Sequence, residues 1–298
     1  MRVSSNQFYT DNLRYVQQNS TELAKLSVQM ATKNRIQRPS DDPLGAVMLL
    51  TLNSELKALE QYGANMNAVN YNLGQQETQL SGIVNTLFSL QELVTTAADG
   101  SVGETELRAL GQEMAVLFPA ILDFLNAKDG TGRYYFSGSL TDTQPFVQDA
   151  GGLYSYQGDA LVRQVKVSDT SSVASNIVGS ALDPAASFLN QMQTYLTLIE
   201  SNPAGGVGNE SRQMIDNISA FLANVSGEIT RIGGIRASLD ELAIANSEIG
   251  LFTEELKDEV KTINDAEVFI RLNQVTASYE SSLKVYANIS KLSLFSML

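Results

Sequence analysis

The residues best placed for chemistry are the adjacent carboxylates Asp41 and Asp42, which follow Arg35, Ile36, Arg38, Pro39 and Ser40 and precede Pro43. Two carboxylates that share a site raise each other's pKa, which is how an acid–base or metal-holding pair is made. Consecutive loop side chains seldom converge, however. Asp42 also stands directly before Pro43, where its carboxylate can accept from the free amides of a first helical turn while proline supplies a fixed φ at a position needing no N–H. Capping and loop bonding is therefore the expected use of the pair. Arg35 and Arg38 then bond those carboxylates or a neighbouring subunit, or stand solvated at the surface. The run Arg35, Ile36, Pro39, Ser40, Asp41, Asp42 and Pro43 reads as a hinge.

Little else in the chain offers reactive chemistry. Cysteine, histidine and tryptophan are absent from its 298 residues, which removes thiolate and imidazole ligands, Ser-His and Cys-His nucleophile pairs, and disulfides. The reading is of no catalytic residue, no metal ligand and no cofactor. Gly205-Gly206-Val207-Gly208 and Gly130-Thr131-Gly132 lack the strand, helix and Lys-Ser/Thr context of a phosphate loop and read as turns. The sites Asn217-Ile218-Ser219 and Asn288-Ile289-Ser290 fall in helical patterns and carry no weight. Net charge is -13, with no basic patch, so nucleic acid is a poor partner. No stretch approaches the roughly 18 uninterrupted apolar residues of a membrane helix, and the start has no signal-like apolar run. The expectation is a chain that is cytoplasmic or exported without a cleaved signal.

The elements behind these residues are mainly helical. Leu52, Leu59, Met66, Leu73, Leu80, Leu87 and Val94 recur every seven residues, and Tyr62, Val69, Ile83 and Leu90 stand three further on. This a/d seam defines a long packed helix, on the order of 80 Å from Pro43 to about Ala98 at 1.5 Å per residue. Gly63, Gly74 and Gly82 lie off the seam. Leu107, Leu110, Met114, Leu117, Ile121 and Phe124 then predict a helix that folds back. From Asp129 the period changes: Tyr134-Tyr135-Phe136 favours a strand, and Tyr154/Tyr156 and Val165/Val167 alternate between turn residues. The tyrosines there suit core packing of a small β-rich insert, or a sugar-binding patch.

Helical spacing resumes at Phe188, Met192, Tyr195 and Ile199, stops at Asn202-Pro203-Ala204-Gly205-Gly206, and returns at Ile218, Phe221, Val225, Ile232, Ile235, Leu239, Leu242 and Ile249. Gly233-Gly234 is a possible kink there. Both ends carry sparser stripes: Tyr9, Val16, Leu23, Leu26 and Met30, then Val268, Leu272, Val275, Tyr279, Tyr286 and Ile289, with Ser282 where an apolar residue would fit. Such helices are marginal alone and need each other or neighbouring subunits. The closing Leu294-Phe295-Ser296-Met297-Leu298 is an apolar tail that suits an interface. The expected fold is mainly α: a long antiparallel helical rod with heptad packing (41–129 and 181–255), a small β-rich insert (130–180), and paired terminal helices (1–40 and 256–298).

The segment Ala31-Thr32-Lys33-Asn34-Arg35-Ile36-Gln37-Arg38-Pro39-Ser40-Asp41-Asp42-Pro43 resembles the signature that follows the N-terminal helix in the flagellin superfamily. It has the Pro-Ser-Asp-Asp-Pro form of the hook-associated junction proteins, not the Asp-Asp-Ala-Ala-Gly form of filament subunits. Met1-Arg2-Val3-Ser4, Gly132-Arg133-Tyr134-Tyr135-Phe136-Ser137-Gly138, Gln144-Pro145-Phe146 and Ser293-Leu294-Phe295 agree with it. The chain departs at Lys33, where the family commonly has glycine.

The resemblance implies a structural subunit between hook-associated protein 1 and the flagellin filament, present as a ring of copies, outside the cell, in the flagellum. It implies export unfolded through the flagellar type III channel, with a chaperone on the C-terminal region. It also implies that Val16, Leu23, Leu26, Met30, Val268, Leu272, Val275, Tyr279, Tyr286, Ile289, Leu294, Phe295 and Leu298 serve inner-tube assembly, the terminal helices pairing as a coiled coil. The alternatives are a flagellin and a cytoplasmic coiled-coil scaffold. The scaffold is disfavoured because Gln, Asn, Ser and Thr, not Glu and Lys, flank the seam.

Overall fold

The computed structural model describes residues 2–201 and 206–295, with side chains at 7, 10–201 and 206–288. It is mainly α with small antiparallel strand pairs. Its helices are α1 (Arg2–Thr32), α2 (Pro43–Ala97), α3 (Glu104–Leu125), α4 (Gly179–Leu182), α5 (Ser187–Glu200), α6 (Gly208–Lys261) and α7 (Asp265–Phe295). The strands are β1 (Phe146–Gln148), β2 (Tyr154–Tyr156), β3 (Gln164–Lys166) and β4 (Ser172–Ala174). Two compact units divide the chain: Met1–Ala58 with Glu248–Leu298, and Leu59–Ser247.

The second unit holds the contiguous hydrophobic core. The heptad positions Met66, Leu73, Leu80, Leu87 and Val94 of α2, with Val69, Ile83 and Leu90, are buried. They join Leu107, Met114 and Ile121 of α3, Phe188, Met192, Tyr195 and Ile199 of α5, and Ile218, Phe221, Val225, Ile232 and Leu239 of α6. The rings of Phe188 and Phe221 stack with centroids 4.3 Å apart. Gly82 is where the Phe124 ring comes close: a Cβ there would lie 2.7 Å from the ring. The expected α3 stripe is wider than its spacing suggested, since Phe118 and Leu125 are buried and Leu110, Leu117 and Phe124 only half-buried. α6 stays helical through Gly233-Gly234. Ile249, grouped with its buried stripe by spacing, is instead 48% exposed.

Two separate hairpins make up the β region. Phe146 pairs with Tyr156 and Gln148 with Tyr154 in one; Gln164 pairs with Ala174 and Lys166 with Ser172 in the other. Tyr134-Tyr135-Phe136 is not a strand. Tyr134 makes one isolated bridge to Lys128, and Phe136 turns inward and is fully buried, so its burial and not ladder pairing fixes this run.

A two-stranded hairpin is at best marginal in water, and these are held by helix side chains. Asn126 of the α3 C-terminus bonds both main-chain groups of Phe146, at 3.0 and 2.9 Å, and Asn190 of α5 bonds both of Tyr154, at 2.9 and 2.7 Å. Gln76, a polar residue at a buried α2 seam position, accepts from the Ile177 N–H at 2.8 Å and donates to the Ser175 carbonyl at 3.4 Å. Tyr154 is buried and Tyr156 half-buried, the latter bonding the Phe136 carbonyl at 2.9 Å, which assigns these two tyrosines to packing.

Candidate assembly interface

The first unit is built around the two short segments that link α1 to α2 and α6 to α7. They pair with each other: the Arg35 N–H donates to the Lys261 carbonyl at 2.7 Å and the Ile263 N–H to the Lys33 carbonyl at 3.2 Å. Lys33 ends α1 in the left-handed region, with φ of 59°. Glycine reaches that conformation without the Cβ clash that other residues meet. The Lys33 ammonium holds Asp265 at 2.7 Å, while Gln29, buried in α1, donates to the Arg35 carbonyl at 2.7 Å.

The carboxylate pair does not converge. Asp42 caps α2, accepting from the Gly45 N–H at 2.9 Å, and its other oxygen takes Arg35 at 2.9 Å. Arg35 also donates to the Val260 carbonyl at 3.0 Å, so it ties the start of α2 to the last turns of α6. Asp41 accepts from the main chain of Gln37 and Arg38 at 3.2 and 3.0 Å and pairs with Lys25 at 3.2 Å. Each environment favours the ionised form. The Lys25 bond, with the main-chain donors, holds the Asp41 carboxyl below its ordinary range, and the Gly45 amide followed by Arg35 does the same for Asp42. These are bonding carboxylates, poorly suited to holding a proton. Ile36 is half-buried, with its Cδ1 2.6 Å from where a Gly45 Cβ would stand, whereas Arg38, Pro39 and Ser40 are exposed.

α1 and α7 lie side by side and antiparallel. Leu26 is buried, and Val16, Leu23, Met30, Val268, Leu272, Val275, Tyr279 and Tyr286 are half-buried along the seam. The side chains of Tyr9, Ile289, Leu294, Phe295 and Leu298, also assigned to these stripes, lie outside the described residues, as does most of the 202–206 loop. Ser282 meets Asn19, whose Nδ2 donates to the serine hydroxyl at 3.2 Å. Glu22 and Arg271 pair across the same helices at 2.9 Å.

Much of the first unit's apolar surface is left in water. Among its described residues the buried side chains are Leu26, Gln29, Leu52, Thr253 and Ile263. Against these stand exposed Leu13, Tyr15, Val28, Leu44, Val47, Met48, Leu50, Phe252 and Ile270, with Leu251 at 71% and Phe269 at 55%. Full burial of such a side chain is worth roughly 1.5–3 kcal/mol, so half-buried seam residues hold the pair only weakly and a covering partner has much to gain. Apolar residues this dense on one unit mark an interaction surface. The residues that spacing places on the α1 and α7 stripes are half-buried or buried where their side chains are described. Spacing missed the outward ones at the start of α2 and end of α6, because a heptad reading assigns apolar residues to a single seam.

Among the described residues no group of three or more Asp or Glu is arranged to hold a metal ion, and no helix is long and apolar enough to cross a membrane.

Comparison with known proteins gives a consistent picture. Residues 3–141 match the family model of the bacterial flagellin N-terminal helical region. Over 323 aligned residues the chain is 25% identical to flagellar hook-associated protein 3 of Escherichia coli K12, covering 100% of this chain and 99% of that one. A solved structure from Vibrio parahaemolyticus, assigned to the flagellar hook-associated proteins, is 30% identical with a TM-score of 0.69, covering 74% of this chain and 100% of that chain. Flagellar hook-associated protein 3 of Legionella pneumophila, at 17% identity and TM-score 0.66 over 70% of this chain and 98% of that one, shares the fold.

Proposed function

The chain belongs to the flagellin superfamily, with the flagellar hook-associated proteins, and on that premise we propose that it is a structural subunit of the hook–filament junction. It joins hook-associated protein 1 to the first flagellin layer as a ring of copies. Its role is mechanical and it catalyses no reaction. It acts outside the cell, leaving without a cleaved signal through the flagellar type III channel, its C-terminal region held by an export chaperone. Residues 1–40 and 256–298 pair within the inner tube, 41–129 and 181–255 form the rod, and 130–180 form the insert.

The observation that carries this reading is the contrast between the two units. The unit around Leu59–Ser247 buries its own core, whereas the unit made from both chain ends exposes Leu44, Val47, Leu50, Leu251, Phe252, Phe269 and Ile270. A protein that completes its terminal unit only against neighbours gains affinity from that coupled burial. The Pro39-Ser40-Asp41-Asp42-Pro43 run, in which Asp42 caps α2 and bonds Arg35, supports the junction over the filament because it has the form that resembles junction proteins and not the Asp-Asp-Ala-Ala-Gly form of filament subunits.

The test is immunogold electron microscopy of intact flagella with antibody to the β region. Gold confined to the hook–filament boundary is expected. Label along the filament would make the chain a flagellin. Absence of extracellular label, with the epitope shown to be accessible, would favour the cytoplasmic scaffold.

A further inference from the structure

Between α2 and the β region, wholly within the second unit, lies a cavity of about 300 Å³. Its charged lining consists of Arg133, Arg163 and Asp129, one net positive charge in a chain whose total is -13. The Asp129 Oδ1 is turned into its own loop, accepting from the Thr131 and Arg133 N–H groups at 2.8 and 2.9 Å. Arg163 is half-buried, and among the described residues its guanidinium makes no hydrogen bond or ion pair; its main-chain N–H is what bonds Asn176, at 2.7 Å. The Arg133 side chain is likewise without a bonded partner among the described residues.

A half-buried guanidinium with five idle donors beside a second cation is an expensive arrangement unless something anionic completes it. Burial first, and then repulsion from Arg133, hold the Arg163 guanidinium below its usual range, outweighing the attraction of the nearby Asp129 and Asp159 carboxylates, neither of which bonds it. The remaining lining includes Tyr135, Asn72 and Thr141, neutral residues whose polar groups suit the rest of a small polar ligand.

We propose that this cavity binds a small organic carboxylate, held by the Arg163 guanidinium with Arg133 at its rim. A planar guanidinium matches a carboxylate with two parallel N–H···O bonds. A lining of one net positive charge suits a monoanion better than a phosphate dianion. The carboxylate could belong to a carboxylated sugar or to an acidic side chain of a neighbouring protein; the cavity chemistry is the same.

The experiment is calorimetric titration of the full-length protein with sodium glucuronate, sodium glutamate, glucose and inorganic phosphate. At least one carboxylate is expected to bind, with R163Q weakening it by about tenfold or more and R163K by less, because lysine keeps the charge without the fork. Preference for glucuronate identifies the sugar source; glutamate binding as well or better identifies the acidic side chain. R133Q serves as the second variant if R163Q melts abnormally, and is expected to weaken the same ligand. No binding of either carboxylate at millimolar concentration, tighter binding of phosphate, or binding indifferent to both substitutions overturns the assignment.

Discussion

Asn19 on α1 donates through Nδ2 to the hydroxyl of Ser282 on α7, 3.2 Å away and 263 residues along the chain, within the stripe that also carries Val16, Leu23 and Leu26. A polar pair among the apolar residues of a helical seam lowers stability but penalises slipped registers, in which each partner would face apolar side chains.

Replacing Ser282→Ala should therefore strand a half-buried amide and cost about 0.5–1.5 kcal/mol. The double substitution Asn19→Leu with Ser282→Leu should recover the loss or exceed it. Amide hydrogen exchange of α1 and α7 in the natural protein, Ser282→Ala and the double variant measures this. No loss of protection in Ser282→Ala would show that the bond contributes nothing.

Lys33 holds a left-handed conformation that costs a residue with a Cβ about 1 kcal/mol, while its exposed ion pair with Asp265 returns at most a similar amount. Lys33→Gly should melt at or above the natural protein, and Lys33→Ala, which keeps the strain and loses the pair, below it. Thermal unfolding followed by circular dichroism gives the order of the three.

Acid should act with opposite sign at two aspartate sites. Asp41 and Asp42 are held below the ordinary aspartate value of 3.8 by their donors, so the stability they lend to the α1–α2 link is present above 3.8 and is lost as pH falls through their depressed pKa values. Asp183, buried beneath the Phe188 and Leu189 amides at 2.9 and 3.2 Å, is raised by burial. It binds its proton more readily folded than unfolded, so its contribution is full below 3.8 and declines as pH rises through the raised value. Carboxyl carbon NMR titration should find Asp41 and Asp42 titrating below 3.8 and Asp183 above it.

Gln76 is 1% exposed and bonds both Ile177 and Ser175 of the β region. Gln76→Leu fits the heptad better but orphans the buried Ile177 N–H, and should destabilise by about 1–3 kcal/mol. Urea unfolding is the measurement. A variant more stable than the natural protein would mean that packing outweighs this bond.

Leu251→Asp and Phe269→Asp place charge on residues 71% and 55% exposed in the single chain. Each should leave the melting of the Leu59–Ser247 unit unchanged while abolishing incorporation into flagella and the motility that depends on it. Calorimetry with a swimming assay separates the two effects, and normal incorporation would remove these residues from the assembly surface.

The sequence by itself determined the mainly helical architecture. The seven-residue recurrence from Leu52 to Val94 and the Asp42-Pro43 start need only local geometry: apolar spacing fixes which stripe is buried, and a carboxylate before proline fixes where the helix begins. The stripes of α1 and α7 were legible for the same reason, down to Ser282 as the gap. Only the tertiary structure decided what fills that gap, because Asn19 is polar and carries no periodic signal. Nor could spacing reveal that Asn126, Asn190 and Gln76 hold the hairpins, since a polar side chain that replaces a strand's missing partner looks like any surface amide until its backbone acceptor is brought beside it. The same limit hid the outward apolar residues of the terminal unit. Periodicity tells which residues share a helix face, but whether that face meets a partner in its own chain or remains in water depends on contacts between elements far apart in sequence.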